Sequence, residues 1–324
     1  MSADRRISFP MIAFEEFRKL HHAVTFLGMS GVGKTVLSKE LRKSDNWFHF
    51  SADYRIGTAY LAEHILDNIK YKIMNMEDKF VADLLRSDSI YISHNITVDN
   101  LAPVSTFLGM YGDTRDGGLD KATFLHRQNL YRDAEIESMM DVARFIERAW
   151  RIYGCTNFVN DASGSLCEVS DPDDLDDPVL NSLAGETLIV YILADERCEE
   201  DLKERARTHP KPLFYNPTFI KPELGGKPDD GVGIDPLDFA RPLFPRLLEF
   251  RKPRYAGIAE RWGFTIGVNQ LFDTGDTDAT VPCADRFLEN VYGAIEAEVP
   301  RSAASQEKLE RYLNACQARE YRRA

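Results

Sequence analysis

The chain reads as an α/β protein: a doubly wound, mainly five-stranded parallel sheet carrying one large helical insertion. Three observations predict it. Short apolar runs rich in β-branched and aromatic residues alternate with longer runs of helical period. The first apolar run leads through a glycine-rich turn straight into a helical one, the arrangement of a strand–loop–helix unit. Between the second and third apolar runs, residues 56–155 show helical period almost throughout.

Bulk properties bound the rest. A chain of 324 residues accommodates one large or two modest domains. Its formal charge of −12 argues against a general nucleic-acid or membrane-surface binder, which needs a basic face, although a local basic pocket remains compatible with it. Cysteines at 155, 167, 198, 283 and 316 form no C-x-x-C pair and have no histidine at zinc spacing, so they read as reduced thiols. No apolar run reaches the length of a membrane span and no signal-peptide pattern opens the chain; a cytoplasmic location is expected.

In order, residues 1–22 form an N-terminal extension, with Phe14, Phe17 and Leu20 at helical spacing before His21-His22, a pair read as exposed rather than metal-binding. Ala23 to Leu27 is the first strand. Gly28-Met29-Ser30-Gly31-Val32-Gly33-Lys34-Thr35 follows, and a helix runs from Val36 to Lys43. In that context G-x-x-x-x-G-K-[ST] means a phosphate-binding P-loop. Its glycines let successive N–H groups turn toward one anion, and the positive end of the next helix adds to the attraction. ATP is the expected ligand of all eight residues, with Lys34 reaching the β- and γ-phosphates and the Thr35 hydroxyl on Mg²⁺.

Trp47 to Ser51 is the second strand, running into Ala52-Asp53-Tyr54-Arg55. Loops at the carboxyl ends of parallel strands form the ligand crevice, so Asp53 and Arg55 are candidate acceptor-binding residues and Asp53 a candidate base. The competing reading makes Asp53 a cap for a helix beginning near Ile56. The insertion 56–155 carries helical stripes at Leu61, Ile65, Ile69 and Ile73 and at Phe80, Val81, Leu84 and Leu85. A long amphipathic helix bears Ile136, Met139, Ala143, Ile146 and Trp150. It reads as a substrate- or partner-covering subdomain, or as a layer that only stabilises.

Phe158-Val159 then leads to Asn160-Asp161-Ala162-Ser163-Gly164-Ser165, an apolar strand ending in the carboxylate of a Walker B element; Asp161 is the second expected Mg²⁺ residue. The acidic run 171–177 reads as a solvated loop, since its prolines do not fit an EF-hand. Thr187 to Leu193 is the clearest buried strand, followed by a charged helix from Glu196 to Arg207 and by Lys211-Pro212-Leu213. Residues 221–236, rich in glycine and proline, predict a mobile loop. A helix over Leu243 to Trp262, a last strand Phe264 to Val268 and a closing helix complete the core at 23–55 and 156–299. The C-terminal tail, 300–324, predicts an amphipathic helix serving as a surface appendage or partner contact.

Several distal stretches resemble the shikimate kinase branch of the small-molecule P-loop kinases. Leu247-Leu248-Glu249-Phe250-Arg251-Lys252-Pro253-Arg254-Tyr255 through Ala259 is similar to the helix following that family's lid. Arg205 and Arg207 before Lys211-Pro212-Leu213 are similar to the lid itself, and Asp161-Ala162-Ser163-Gly164 stands where the family has a run of glycines. The resemblance implies phosphoryl transfer, with Arg205, Arg207 and Lys211 closing on the transferring group and Ser163 and Gly164 on the substrate wall. A solvated charged helix is the plainer reading of the three cations. The chain departs from the family in having Ser51-Ala52-Asp53 in place of two aspartates, a single glycine after the third strand and a far larger insertion. The acceptor is therefore not carried over. Asp-Tyr-Arg also resembles the acceptor side of polynucleotide 5′-kinases, against which the acidic balance speaks. An ATP- and Mg²⁺-dependent kinase for a small hydroxylated metabolite is the expectation. The alternative is an ATPase or nucleotide-dependent switch, with a protein partner on the insertion or tail. No H-E-x-x-H or G-x-S-x-G is present to anchor zinc or serine hydrolysis.

Overall fold

Five strands form one sheet in the order β2-β3-β1-β4-β5. They are β1 Ala23–Leu27, β2 Trp47–Ser51, β3 Asn157–Asp161, β4 Leu188–Leu193 and β5 Gly263–Gly267. β1 pairs in parallel with both β3 and β4, and β4 in parallel with β5. Every residue of β1 and β3 is buried, as strands covered by helices on both faces must be. The computed structural model describes residues 11–44, 46–272 and 281–323; parts of the predicted extension, core and tail, at 1–10, 45, 273–280 and 324, lie outside the described residues.

The chain divides into two compact units. The first takes Met1–Phe50, Met139–Lys203 and Leu248–Ala324, and the second Ser51–Ser138 and Glu204–Leu247. The helices that matter most for the first unit are α1 Lys34–Arg42, α2 Val142–Tyr153, α3 Pro178–Glu186, α4 Leu243–Trp262, α5 Ala284–Glu298 and α6 Ala303–Arg323. The single long helix expected across Ile136 to Trp150 is broken: Lys121–Met140 ends and α2 begins on either side of Asp141. Among the described residues no helix is long and apolar enough to cross a membrane.

Two expectations about exposure fail in the first unit. The tail helix α6 is not a surface appendage: Leu309, Tyr312, Cys316 and Arg319 along it are buried. These positions repeat at helical spacing, so α6 presents one continuous face to the unit. His22 is likewise buried, at 1% exposure. Its backbone N–H donates to Asn157 Oδ1 at 2.7 Å, and its Nδ1 shares a 2.7 Å hydrogen bond with the Tyr312 hydroxyl. The acidic run is mostly exposed but ends in the buried Asp177, whose carboxylate accepts from Leu180 N and Asp171 N to start α3.

In the second unit the glycine- and proline-rich stretch 221–236 is tied down rather than free. Gly233 N donates to Asp113 Oδ2, Asp113 N to Ile234 O, and the Tyr111 hydroxyl to Pro228 O. The helix in this stretch begins at Ala52 rather than near Ile56, with Ser51 as its N-cap through a hydroxyl that accepts from Tyr54 N and Asp53 in its first turn.

Burial drives the pKa of His22 down to about 3, so the imidazole stays neutral in the folded protein. An unfolded histidine titrates near 6.5, and below that pH the unfolded chain binds the extra proton. Stability contributed by neutral His22 is therefore fully present above pH 6.5 and is lost as pH falls toward 3. Urea unfolding at pH 7 and pH 5 should show His22→Gln losing about 2 kcal/mol less than wild type over that interval. Equal losses in the two proteins would contradict the assignment.

Candidate functional site

The carboxyl end of β1 opens into the loop 28–35, and β1 lies between β3 and β4 on the two sides where the chain's connections diverge. In open parallel sheets that is where a ligand crevice forms. Gly28, Gly31 and Gly33 have φ of +146°, +96° and +98°, values that L side chains rarely adopt. Space excludes side chains as well: a Cβ on Gly28 would lie 2.9 Å from Ile192 O, and one on Gly33 would lie 2.6 Å from the ring of Phe272. Met29 and Val32 bury their side chains and anchor the loop between its glycines. Gly33 starts α1 without a side-chain cap. The first-turn N–H groups of a helix need acceptors, and an anion can supply them.

Lys34 is buried and its ammonium donates to the carbonyls of Gly28 and Met29 at 2.6 and 3.0 Å, so the cation stays over the loop it follows. Sheet register does the rest. Asp161 pairs with Phe26, one residue before the end of β1. Its Oδ2 accepts a 2.6 Å hydrogen bond from Thr35 Oγ1. A hydroxyl beside a single carboxylate is a donor set that suits Mg²⁺, which keeps several waters and takes phosphate oxygens for the remainder. Gly164 also reaches the loop: a Cβ there would lie 2.7 Å from Ser30 N. Ser163 Oγ accepts from Ser165 N at 3.2 Å and fixes the turn.

Five residues that sequence reasoning did not assign to a site complete this corner. His49 on β2 places Nε2 3.5 Å from Asp161 Oδ2, with a side chain only 2% exposed. Arg251 on α4 donates from Nε to Glu168 Oε1 at 2.6 Å, and both are buried. Burial opposes charge on Arg251, but the adjacent Glu168 carboxylate outweighs it and raises the guanidinium pKa. Tyr255, one turn on, donates its hydroxyl to Gly164 O and packs it 3.5 Å from Met29 Sδ. Arg254 donates to the carbonyls of Cys167 and Ser170 at 2.6 and 3.1 Å. α4 thus fastens the turn after β3 to the underside of the loop. The signal was available in the Arg-Lys-Pro-Arg-Tyr stretch, but nothing local identified Glu168 as the partner of Arg251.

The remaining predicted residues belong to the second unit. Asp53 Oδ1 accepts a 3.4 Å hydrogen bond from the Tyr131 hydroxyl, and the Arg55 guanidinium stands 5.3 Å from the ring centroid of Tyr60. Directly after them Ile56–Tyr60 is π-helical, with Leu61 N bonded to Ile56 O. Such turns are rare and concentrate at functional positions. Arg205, Arg207 and Lys211 are exposed; Arg207 pairs with Glu204 one turn earlier.

No protein-family model matches the chain, and no curated protein is found similar to it. Among solved structures, a shikimate kinase from Bacteroides thetaiotaomicron matches with 16% identity over 85% of this chain and 95% of that one, at a TM-score of 0.31. A likeness at that level carries no argument about this chain. The class defined by the structure itself is an α/β protein with a glycine loop at the carboxyl edge of a parallel sheet.

Removing one partner of a buried ion pair leaves the other charge uncompensated. Glu168→Gln should lower unfolding free energy by about 3–5 kcal/mol, whereas Glu168→Gln combined with Arg251→Met should recover a large part of that loss. Chemical denaturation of the two variants checks this, and equal destabilisation of single and double variants would sink it.

Proposed function

We propose that the chain binds ATP with Mg²⁺ in the loop 28–35 and transfers the terminal phosphoryl group to a small hydroxylated molecule. The observation that carries the reading is the Thr35–Asp161 hydrogen bond at the foot of a loop whose glycines leave no room for side chains. In this reading the backbone of Gly28 to Thr35 and the Lys34 ammonium hold the phosphates, while Thr35 and Asp161 hold the metal. ATP supplies the phosphoryl group and Mg²⁺ neutralises its charge; the chain's own task is to bind, orient and exclude water.

Asp53 is the proposed group that orients the acceptor hydroxyl and takes its proton, with Arg55 as the partner of an anionic acceptor group. Support comes from the place of Asp53 in the first turn of a helix capped by Ser51 and from the π-helical turn that follows. Ser163 and Gly164 are proposed to border the substrate. Arg205, Arg207 and Lys211 are the proposed phosphate-stabilising cations; a planar guanidinium suits phosphate oxygens.

ATP with Mg²⁺ at a hundredfold excess over its dissociation constant should stabilise the folded protein by about 2.7 kcal/mol. Lys34→Ala should abolish most of that shift in a thermal melt while leaving the ligand-free melting temperature near wild type. An undiminished shift in the variant would overturn the nucleotide assignment.

Acceptor chemistry has its own test. ATP consumption against fractionated metabolite pools should depend on acceptor, because a closed kinase site excludes water. Asp53→Asn should then lower kcat by roughly two or more orders of magnitude, with ATP affinity and melting temperature close to wild type. Full acceptor-dependent turnover in Asp53→Asn would remove Asp53 as the base. Slow hydrolysis without any acceptor, accelerated by a protein partner, would favour a switch instead.

A further inference from the structure

The first unit holds a second concavity far from the glycine loop. Its volume is about 700 Å³, within the range of small-molecule sites, and α2 and α6 supply most of its walls. Its place in the sheet follows from Arg319, which donates to Glu186 O at 2.6 Å and His21 O at 3.0 Å. Those residues stand two positions before β4 and β1, so the cavity opens at the amino edge of the strands. The glycine loop leaves their carboxyl edge, roughly 17 Å away for five residues of strand.

The lining is unusual for an acidic chain: five arginines face two glutamates, in a protein of net charge −12. Arg151 and Arg322 have exposed side chains paired with Glu147 and Glu186, while Arg144, paired with Asp141, also lies 5.7 Å from the ring centroid of Phe145. Exposed pairs of this kind contribute little and exchange easily for a stronger partner. Arg319 and Arg323 make no ion pair with a carboxylate among the described residues; Arg323 donates to Thr156 O at 3.0 Å and lies 5.0 Å from the ring centroid of Trp150. The positive field is felt nearby. Burial first, and then Arg319 and Arg322, lower the pKa of Arg323, and His21 is lowered by burial and then by Arg323. Ala143, Ile146 and Trp150 give one wall an apolar surface beside these donors.

We propose that this cavity is a binding site for a small phosphorylated organic anion, separate from the glycine loop and independent of the nucleotide reading. The guanidinium groups engage the phosphoryl oxygens and the Ile146–Trp150 wall takes the organic body. Guanidinium forks match phosphate oxygens in pairs, and a phosphoryl group brings close to two negative charges with three acceptor oxygens to a single point. That concentration of charge answers a cluster of cations better than separate carboxylates do.

The probes are inorganic pyrophosphate and citrate, which carry comparable charge on phosphoryl and carboxylate oxygens. Binding is read by melting temperature and by the tryptophan emission of Trp150, with Trp150→Phe identifying its share. In the Lys34→Ala background, which removes the glycine loop as a phosphate site, pyrophosphate should still bind, more tightly than citrate. The Arg151→Gln/Arg322→Gln double variant should bind it at least about tenfold more weakly, as expected for two lost charge-assisted hydrogen bonds. Its own melting temperature should stay near wild type, since it loses only surface pairs. Absence of binding to wild type, or unchanged affinity in the double variant, would overturn the site. So would binding that Lys34→Ala abolishes, which assigns it to the glycine loop. Citrate binding more tightly than pyrophosphate would overturn the phosphoryl assignment.

Discussion

The candidate site depends on a buried ion pair. Arg251 and Glu168 meet in a region where neither could remain charged alone, and they join α4 to the turn that follows β3. Arg251, Arg254 and Tyr255 stand three and four residues apart on α4, so all three project from one face. That face reaches Glu168, the carbonyls of Gly164, Cys167 and Ser170, and the sulfur of Met29. A loop made of glycines has little side-chain packing of its own. Here Met29 and Val32 supply what packing it has, and Gly164 and Tyr255 seat it from outside.

Parallel register supplies the other half of the geometry. β1 ends in the glycine loop, and pairing Phe26 with Asp161 brings the end of β3 level with it. The chain needs no long side chain to bridge the two, and a threonine hydroxyl reaches the carboxylate directly. His49, approaching Asp161 from β2, closes the polar corner against a wall of buried strand residues. The arrangement concentrates polar groups at the carboxyl edge of the sheet, which is where a charged ligand can be held without desolvating the core.

The second unit has a different internal logic. Its irregular stretches are secured by main-chain and side-chain hydrogen bonds rather than by strands: Asp113 accepts from Arg115 and Gly233, and Tyr111 and Lys121 hold the carbonyls of Pro228 and Lys227. A segment that composition marks as loose is thereby tied to the rest of its unit at Lys227, Pro228, Gly233 and Ile234.

The sequence alone determined the strands, the glycine loop and the pairing of that loop with a following helix. Those features are local: apolar runs, glycines demanding positive φ, and a lysine and threonine at set offsets are readable wherever they occur. It also singled out Asp161, which closes a recognisable strand end, while Gly164 was singled out by the resemblance of the turn that follows. Tertiary structure decided everything that joins distant segments. Glu168 and Arg251 are separated by 83 residues and His22 and Tyr312 by 290, and neither pair leaves a trace in local pattern. The tail reads as a surface appendage or partner contact because a mostly polar helix shows its apolar stripe weakly; only its packing reveals that Tyr312 and Arg319 are interior residues. The arginine-lined cavity belongs to the same class, assembled from α2, the end of α3 and α6, whose charges meet only once the sheet has brought those ends together.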